Sequence, residues 1–213
     1  KSLADVYADV LRERVPGLPN VCFTACGAEA NEKAYALCMN ALPNAHKLLA
    51  FEGSFHGRTL LSLYASHSPA KRVPFEIAGY EVTFAPYPTW AEPSTKGPDD
   101  DTGLLTFLAT QNFAAIAQTY ANHSDALLAS EARALLSVAE SLRTGDFPGR
   151  ENSQQYFAVV IEPMQSEGGD RYATPRFHRA LRILTRALGV PLIMDEVQCG
   201  FGLGGSFAWH RPF

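Results

Sequence analysis

The chain has 213 residues, 46% of them hydrophobic and 19% charged, enough apolar material for one sizeable core in a single domain or a large lobe with a minor one. Its formal charge of −4 leaves no basic surplus for a nucleic-acid footprint. No apolar run approaches the ~20 residues of a membrane span.

Residues 2–14 read as a helix with Leu3, Val6, Val10 and Leu11 on one face. VPGLPN ends it. VCFTA, residues 21–25, reads as a short apolar strand followed by Gly27. Residues 28–42 read as a helix whose stripe is Ala30, Ala34, Leu37, Cys38 and Ala41. KLLAF is a strand, EGSFHGR a loop, TLLSLYAS a helix, and YEVTFAPYP a strand ending at prolines. A polar loop over residues 91–103 precedes two helical stretches, about 104–120 and 124–143. Leu127, Leu128, Leu135, Leu136 and Leu142 give the second its apolar face.

After the loop GDFPGRENSQQ, YFAVVI is a continuous apolar strand of the kind buried on both faces. TPRFHRALRILTRAL is a helix with Thr174 as N-cap, Pro175 at its first position and Gly189 closing its end. VPLIMDE is the last strand. Strands alternating with helices predict an α/β fold, a largely parallel sheet with flanking helices. Ligands of such sheets bind at the carboxyl ends of the strands, where Gly27, Glu162, Glu167, Asp195 and Gln198 fall.

Four cysteines, Cys22, Cys26, Cys38 and Cys199, form no CxxC pair, so no metal is expected and scattered reduced thiols are the plainer reading. Asn122-His123-Ser124 fits a glycosylation triplet, a pattern common by chance. The chain opens on Lys1 rather than Met and closes on FAWHRPF, so it reads as a piece of a longer protein.

Three stretches carry chemistry. In TACGAEANEKA a strand, a glycine and a helix start follow one another, and the free N–H groups of a first helical turn favour an anion, above all a phosphate; many such joints bind nothing. In FEGSFHGRT, Phe55 and His56 lie between Gly53 and Gly57, with Arg58 next. The aromatic face can stack on a planar ring and the guanidinium can hold a carboxylate, although a core Phe55 and a surface Arg58 are common fates. In PLIMDEVQCGFGLGG, Asp195 ends a buried strand and needs a partner: a protonated ring nitrogen, an arginine or backbone amides.

Gly200 to Gly205 satisfies G-x-G-x-x-G, but DEVQC separates it from the strand and a poor helix follows, so it reads as a flexible loop. VVIEPMQSEGGD poses the same question as Asp195 more sharply, since a core strand runs into Glu162, Glu167 and Asp170. Together the three stretches describe a site for a flat, phosphorylated, cationic ring with a carboxylate-bearing substrate beside it, which is pyridoxal phosphate chemistry.

The motifs ACGAEANEKA, SFHGRTL, VIEPMQSEGGD and MDEVQCGFG occur in the order and rough spacing of the class III, fold-type I aminotransferases, which the chain resembles over nearly its whole length. FHGR, EPMQSEGGD and APYP look most like the 4-aminobutyrate aminotransferase branch. The resemblance implies a partial cofactor-binding large domain over residues 1–213, with a helical insertion at about 94–150. It implies that Gly27 and Ala28 offer N–H groups to the cofactor phosphate, Phe55 and His56 line the ring, Asp195 pairs with the ring nitrogen, and Gln198 bonds the phenolic oxygen. Arg58 would hold the substrate carboxylate, Glu167 would pair with a substrate-gating arginine later in the sequence, and Glu162 would support the site from behind. Asp195 and Glu167 are thus the catalytic candidates within the chain.

Two departures stand out. Ala28 replaces the family's usual Ser or Thr, and Glu29 stands where animal relatives carry the second cysteine of an iron–sulfur cluster, so no cluster is expected. None of Lys1, Lys33, Lys47, Lys71 or Lys96 sits in the Schiff-base lysine motif, so the chain by itself should not transaminate. The resemblance implies a homodimeric parent, cytoplasmic or in the mitochondrial matrix, that moves the amino group of an ω-amino acid, 4-aminobutyrate first, to 2-oxoglutarate. Another branch, lysine 6- or ornithine aminotransferase, and a non-catalytic fragment or pseudoenzyme of the same fold are the alternatives. A nucleotide-binding module is a distant third.

Overall fold

The computed structural model describes residues 1–72, 77–88, 102–143 and 155–210. In chain order the elements are α1 (Leu3–Arg14), α2 (Gly27–Ala41), β1 (Lys47–Phe51), α3 (Leu60–Ala65), α4 (Pro69–Arg72), β2 (Glu81–Ala85), α5 (Thr102–Ala109), α6 (Phe113–Thr119) and α7 (Ala126–Arg143). There follow β3 (Tyr156–Ile161), β4 (Met164–Gln165), β5 (Arg171–Tyr172), α8 (Pro175–Ala187) and β6 (Leu192–Met194).

Four strands pair in the order β2-β1-β3-β6, all parallel. The central pair is apolar on both faces, because successive side chains point to opposite sides. Leu49, Phe51, Val159 and Ile161 face one core, where α5, α7 and α8 pack. Leu48, Ala50, Ala158 and Val160 face the other, under α2 and α3, and the register irregularity after Tyr156 adds Phe157 to the same side. Each fully buried Leu, Ile, Val or Phe among these stabilises the fold by about 1.5–3 kcal/mol. The sheet therefore comes out as the alternation of elements predicts, and its strand ends fix the positions of Glu162 and Asp195.

α8 forms as its caps dictate. The Thr174 hydroxyl accepts the Phe177 N–H at 3.1 Å, Pro175 opens the first turn, and Gly189, at φ +69, lies just past the end. The expected leucine face of α7 is buried at Leu128, Leu135 and Leu142, and half-buried at Leu127 and Leu136.

Four expectations need correction. Residues 21–25 form no strand. They are largely exposed and lack a ladder partner among the described residues, and β-propensity without a partner makes no strand. The buried stripe of α2 is Asn31 and Tyr35, flanked by Cys38 and Met39, whereas Ala30, Leu37 and Ala41 face outward. Tyr35, the largest apolar body on the helix, sets the rotation. The helix expected over about 104–120 breaks in two, because Gln111 takes φ +55 and Asn112 caps α6 by accepting the Ala115 N–H at 3.2 Å. The apolar face of α1 is not packed: Leu3, Val6 and Val10 are exposed, and Tyr7 stacks on Phe23 at 5.9 Å between ring centroids.

Much of the polar loop over 91–103 and of the loop before β3 lies outside the described residues. Among the described residues no helix is long and apolar enough to cross a membrane.

Candidate active site

Asp195 leaves the end of β6 with its N–H donated to the Ile161 carbonyl at 2.8 Å, which places its carboxylate at the carboxyl edge of the sheet. The carboxylate is buried, and its Oδ2 accepts from the Asn31 amide at 2.8 Å and meets His56 Nδ1 at 2.7 Å. Its Oδ1 accepts the Val197 N–H at 3.1 Å. An oxygen that already accepts the Asn31 amide is an acceptor for Nδ1 as well, so the tautomer with its proton on Nδ1 fits this bond. The His56 side chain is fully buried, and its Nε2 has no partner among the described residues.

The loop after β1 is held against β3 as well. Phe55 donates its N–H to Glu162 Oε2 at 2.9 Å, and Glu162 is itself buried just past the end of β3. Burial pushes the Glu162 carboxyl up to about 7. The His56 ring and the Phe55 N–H oppose the rise, and the charges of Asp195 and Glu167 add to it. A third tie is His56 N–H to the Ser66 hydroxyl, 2.8 Å.

The start of α2 completes the cluster. Its N-cap, Cys26, makes no side-chain cap bond among the described residues, which leaves the first-turn N–H groups as donors for an anion there. A Cβ on Gly27 would lie 2.6 Å from the Val197 side chain, and one on Gly57 would lie 2.5 Å from Ala28 Cβ. The helix start thus packs between the 195–198 segment and the Phe55–His56 loop. Within that packing sit a bare helix terminus for a phosphate, a buried carboxylate for a protonated ring nitrogen and a half-buried Phe55 for a ring face. These residues fit pyridoxal phosphate in type and in proximity.

Gly27, Ala28, Phe55, His56, Glu162 and Asp195 therefore come together. Arg58, Glu167 and Gln198 are exposed. Arg58 follows Gly57 directly, and Glu167 is near enough for its charge to act on Glu162. The turn carrying Glu167 joins β4 to β5, an antiparallel pair that EPMQSEGGD does not announce. Gly168 is required there, because a Cβ would come within 2.4 Å of the Gly53 carbonyl oxygen. Of the acids in this stretch, Glu162 meets a backbone N–H rather than a side-chain cation.

Sequence reasoning passed over Asn31, although a polar residue one turn after Gly27 on a packed helix was the signal. It also passed over Glu196, whose carboxylate accepts from the Trp209 and His210 N–H groups, each at 2.8 Å, and from His210 Nδ1 at 2.6 Å. These bonds tie the residues that follow the glycine-rich stretch back to the residue next to Asp195. The stretch itself opens no helix, and Gly204 lies beneath the Trp209 ring.

A parallel sheet with these groups gathered at its carboxyl edge is the architecture of a fold-type I, pyridoxal-phosphate-dependent transferase. The family model for aminotransferase class-III matches residues 2–211, and the chain belongs to that family. It is 30% identical over 220 residues to a 4-aminobutyrate aminotransferase of Dictyostelium discoideum, covering 92% of this chain and 38% of that protein. It is 28% identical to the mitochondrial 4-aminobutyrate aminotransferase of Rattus norvegicus, covering 96% of this chain and 41% of the relative. Among solved structures, lysine aminotransferase from M. tuberculosis superposes with a TM-score of 0.70 at 25% identity, over 99% of this chain and 43% of that one. The chain thus spans about two-fifths of the length of the relatives it matches.

Proposed function

We propose that this chain is the cofactor-holding part of an aminotransferase that moves the amino group of an ω-amino acid, 4-aminobutyrate first, to 2-oxoglutarate. The observation that carries the reading is the buried Asp195 carboxylate, held by Asn31 and His56 beside the uncapped start of α2. Pyridoxal phosphate, when bound, supplies an electron sink for the bonds at the substrate's amino carbon.

The chain's own residues do the rest. Gly27 and Ala28 donate backbone N–H groups to the phosphate, and the α2 dipole reinforces them. Asp195 would pair with the ring nitrogen and hold its proton. Phe55 would lie against the ring, and Gln198 would offer its amide to the phenolic oxygen. His56 acts through Asp195, since its ring is buried against that carboxylate. Arg58 binds the substrate carboxylate remote from the reacting amine. Glu167 pairs with an arginine outside this chain, and the opening of that pair admits the second substrate. Glu162 holds the Phe55 backbone in place. The resemblance also supports a homodimeric parent, which sedimentation of the full-length protein tests.

The likeness to a lysine aminotransferase supports a second reading, transfer from the terminal amine of lysine. A panel of 4-aminobutyrate, lysine and ornithine on the full-length protein separates the two. Equal rates on all three would remove the 4-aminobutyrate assignment. For the cofactor itself, titration with pyridoxal phosphate should give saturable binding that Asp195→Asn weakens at least about tenfold, and equal binding by both proteins would sink the Asp195 role.

A further inference from the structure

We propose that Asn31 is a positioning residue that fixes the Asp195 carboxylate, an inference that rests on the cofactor reading above. Asn31 is buried on α2, one turn from Gly27. Its Nδ2 gives one N–H to the His56 carbonyl at 2.8 Å and the other to Asp195 Oδ2 at 2.8 Å. Both neighbours are acceptors, which fixes which end of the amide faces them. His56 Nδ1 shares the same Oδ2 at 2.7 Å. With two donors on Oδ2, the carboxylate cannot turn without breaking a buried, charge-assisted bond. Oδ1, which accepts the Val197 N–H, is left as the oxygen for the ring nitrogen.

The side chain at this position therefore needs two N–H donors at the length of Asn. Aspartate would set a carboxylate against a carboxylate and a carbonyl. Leucine keeps the bulk and removes both bonds. The amide also ties α2, which holds the phosphate-binding terminus, to the strand end that holds the ring nitrogen's partner. Asn31 thereby sets the spacing between the two ends of the cofactor.

A merely structural asparagine would be felt only as lost stability, so the test needs a control that loosens the same loop without touching Asp195. Ser66→Ala is that control, because it removes the hydroxyl that accepts the His56 N–H. The ring ¹⁵N resonances of His56 are measured in the ligand-free protein for wild type, Asn31→Leu and Ser66→Ala, and pyridoxal phosphate affinity is measured for these and Asp195→Asn. The expected result is that Asn31→Leu displaces the His56 resonances and weakens the cofactor about tenfold relative to Ser66→Ala.

If Asp195→Asn loses the cofactor while Asn31→Leu behaves like Ser66→Ala in both readouts, the positioning role is overturned and the cofactor reading stands. If Asp195→Asn binds as wild type does, the cofactor reading and the inference fall together.

Discussion

Gly57 packs directly on Ala28: a Cβ added to the glycine would come 2.5 Å from Ala28 Cβ and 3.0 Å from its Cα. Gly57 also has φ +134, a conformation that side chains rarely adopt. Gly57→Ala should therefore destabilise the fold by about 2–5 kcal/mol, through backbone strain and overpacking together. Gly79→Ala is the comparison, since Gly79 has positive φ but open space around it, and it should cost only about 1 kcal/mol. Urea unfolding of the two variants checks the difference. Equal losses would mean that the close approach to Ala28 and to the Ser62 hydroxyl contributes nothing.

The Glu162 carboxyl gives a pH prediction. Its folded value of about 7 lies above the ordinary 4.5, because the site buries it among other acids. The folded state thus binds this proton more tightly than the unfolded chain does. The resulting stabilisation is complete below pH 4.5 and is lost as pH rises through 7. Glu162→Gln removes that dependence while leaving an oxygen to accept the Phe55 N–H. Relative to wild type, the variant should gain on the order of 2–3 kcal/mol between the two pH values. Denaturant midpoints at several pH values measure it, and a flat difference would contradict the raised carboxyl.

Glu131 and Arg176 form a buried ion pair at 2.7 Å that joins α7 to the first turn of α8, with the Thr174 hydroxyl on the same carboxylate. Burial pushes the Glu131 carboxyl up despite the Thr174 and Arg176 bonds, so desolvation outweighs the attraction. Glu131→Leu alone strands a buried guanidinium and should cost about 3–5 kcal/mol. Adding Arg176→Met should restore part of that loss. A double-mutant cycle with additive costs would show that the pair is not coupled.

Glu196 ties back the residues that follow the glycine-rich stretch. Burial would raise its carboxyl, but the His210 ring and the N–H groups of His210 and Trp209 outweigh that and hold it below its ordinary range. The tether is present above the ordinary carboxylate range and weakens as pH falls through the lowered value. Glu196→Ala should speed chymotryptic cleavage after Phe201 or Leu203 about tenfold at neutral pH. Unchanged cleavage would leave the loop held by something else.

The sequence by itself determined the sheet and the residues at its carboxyl edge. Apolar runs such as YFAVVI and capping signals such as Thr174-Pro175 act locally, so their outcome is written in neighbouring residues. The four motifs likewise single out Gly27, Ala28, Phe55, His56, Glu162 and Asp195, which the fold brings together, and Arg58, Glu167 and Gln198, which it leaves exposed. Tertiary structure decided what those residues touch. Residues 21–25 have strand composition but lack a ladder partner among the described residues, and a ladder is a property of two segments. Tyr35 rather than the alanines set the rotation of α2, because burial of its ring outweighs a stripe of small side chains. The bond from Asn31 to Asp195 spans 164 residues of chain. No local pattern encodes such a contact; only the packing of α2 against the end of β6 brings the amide to the carboxylate.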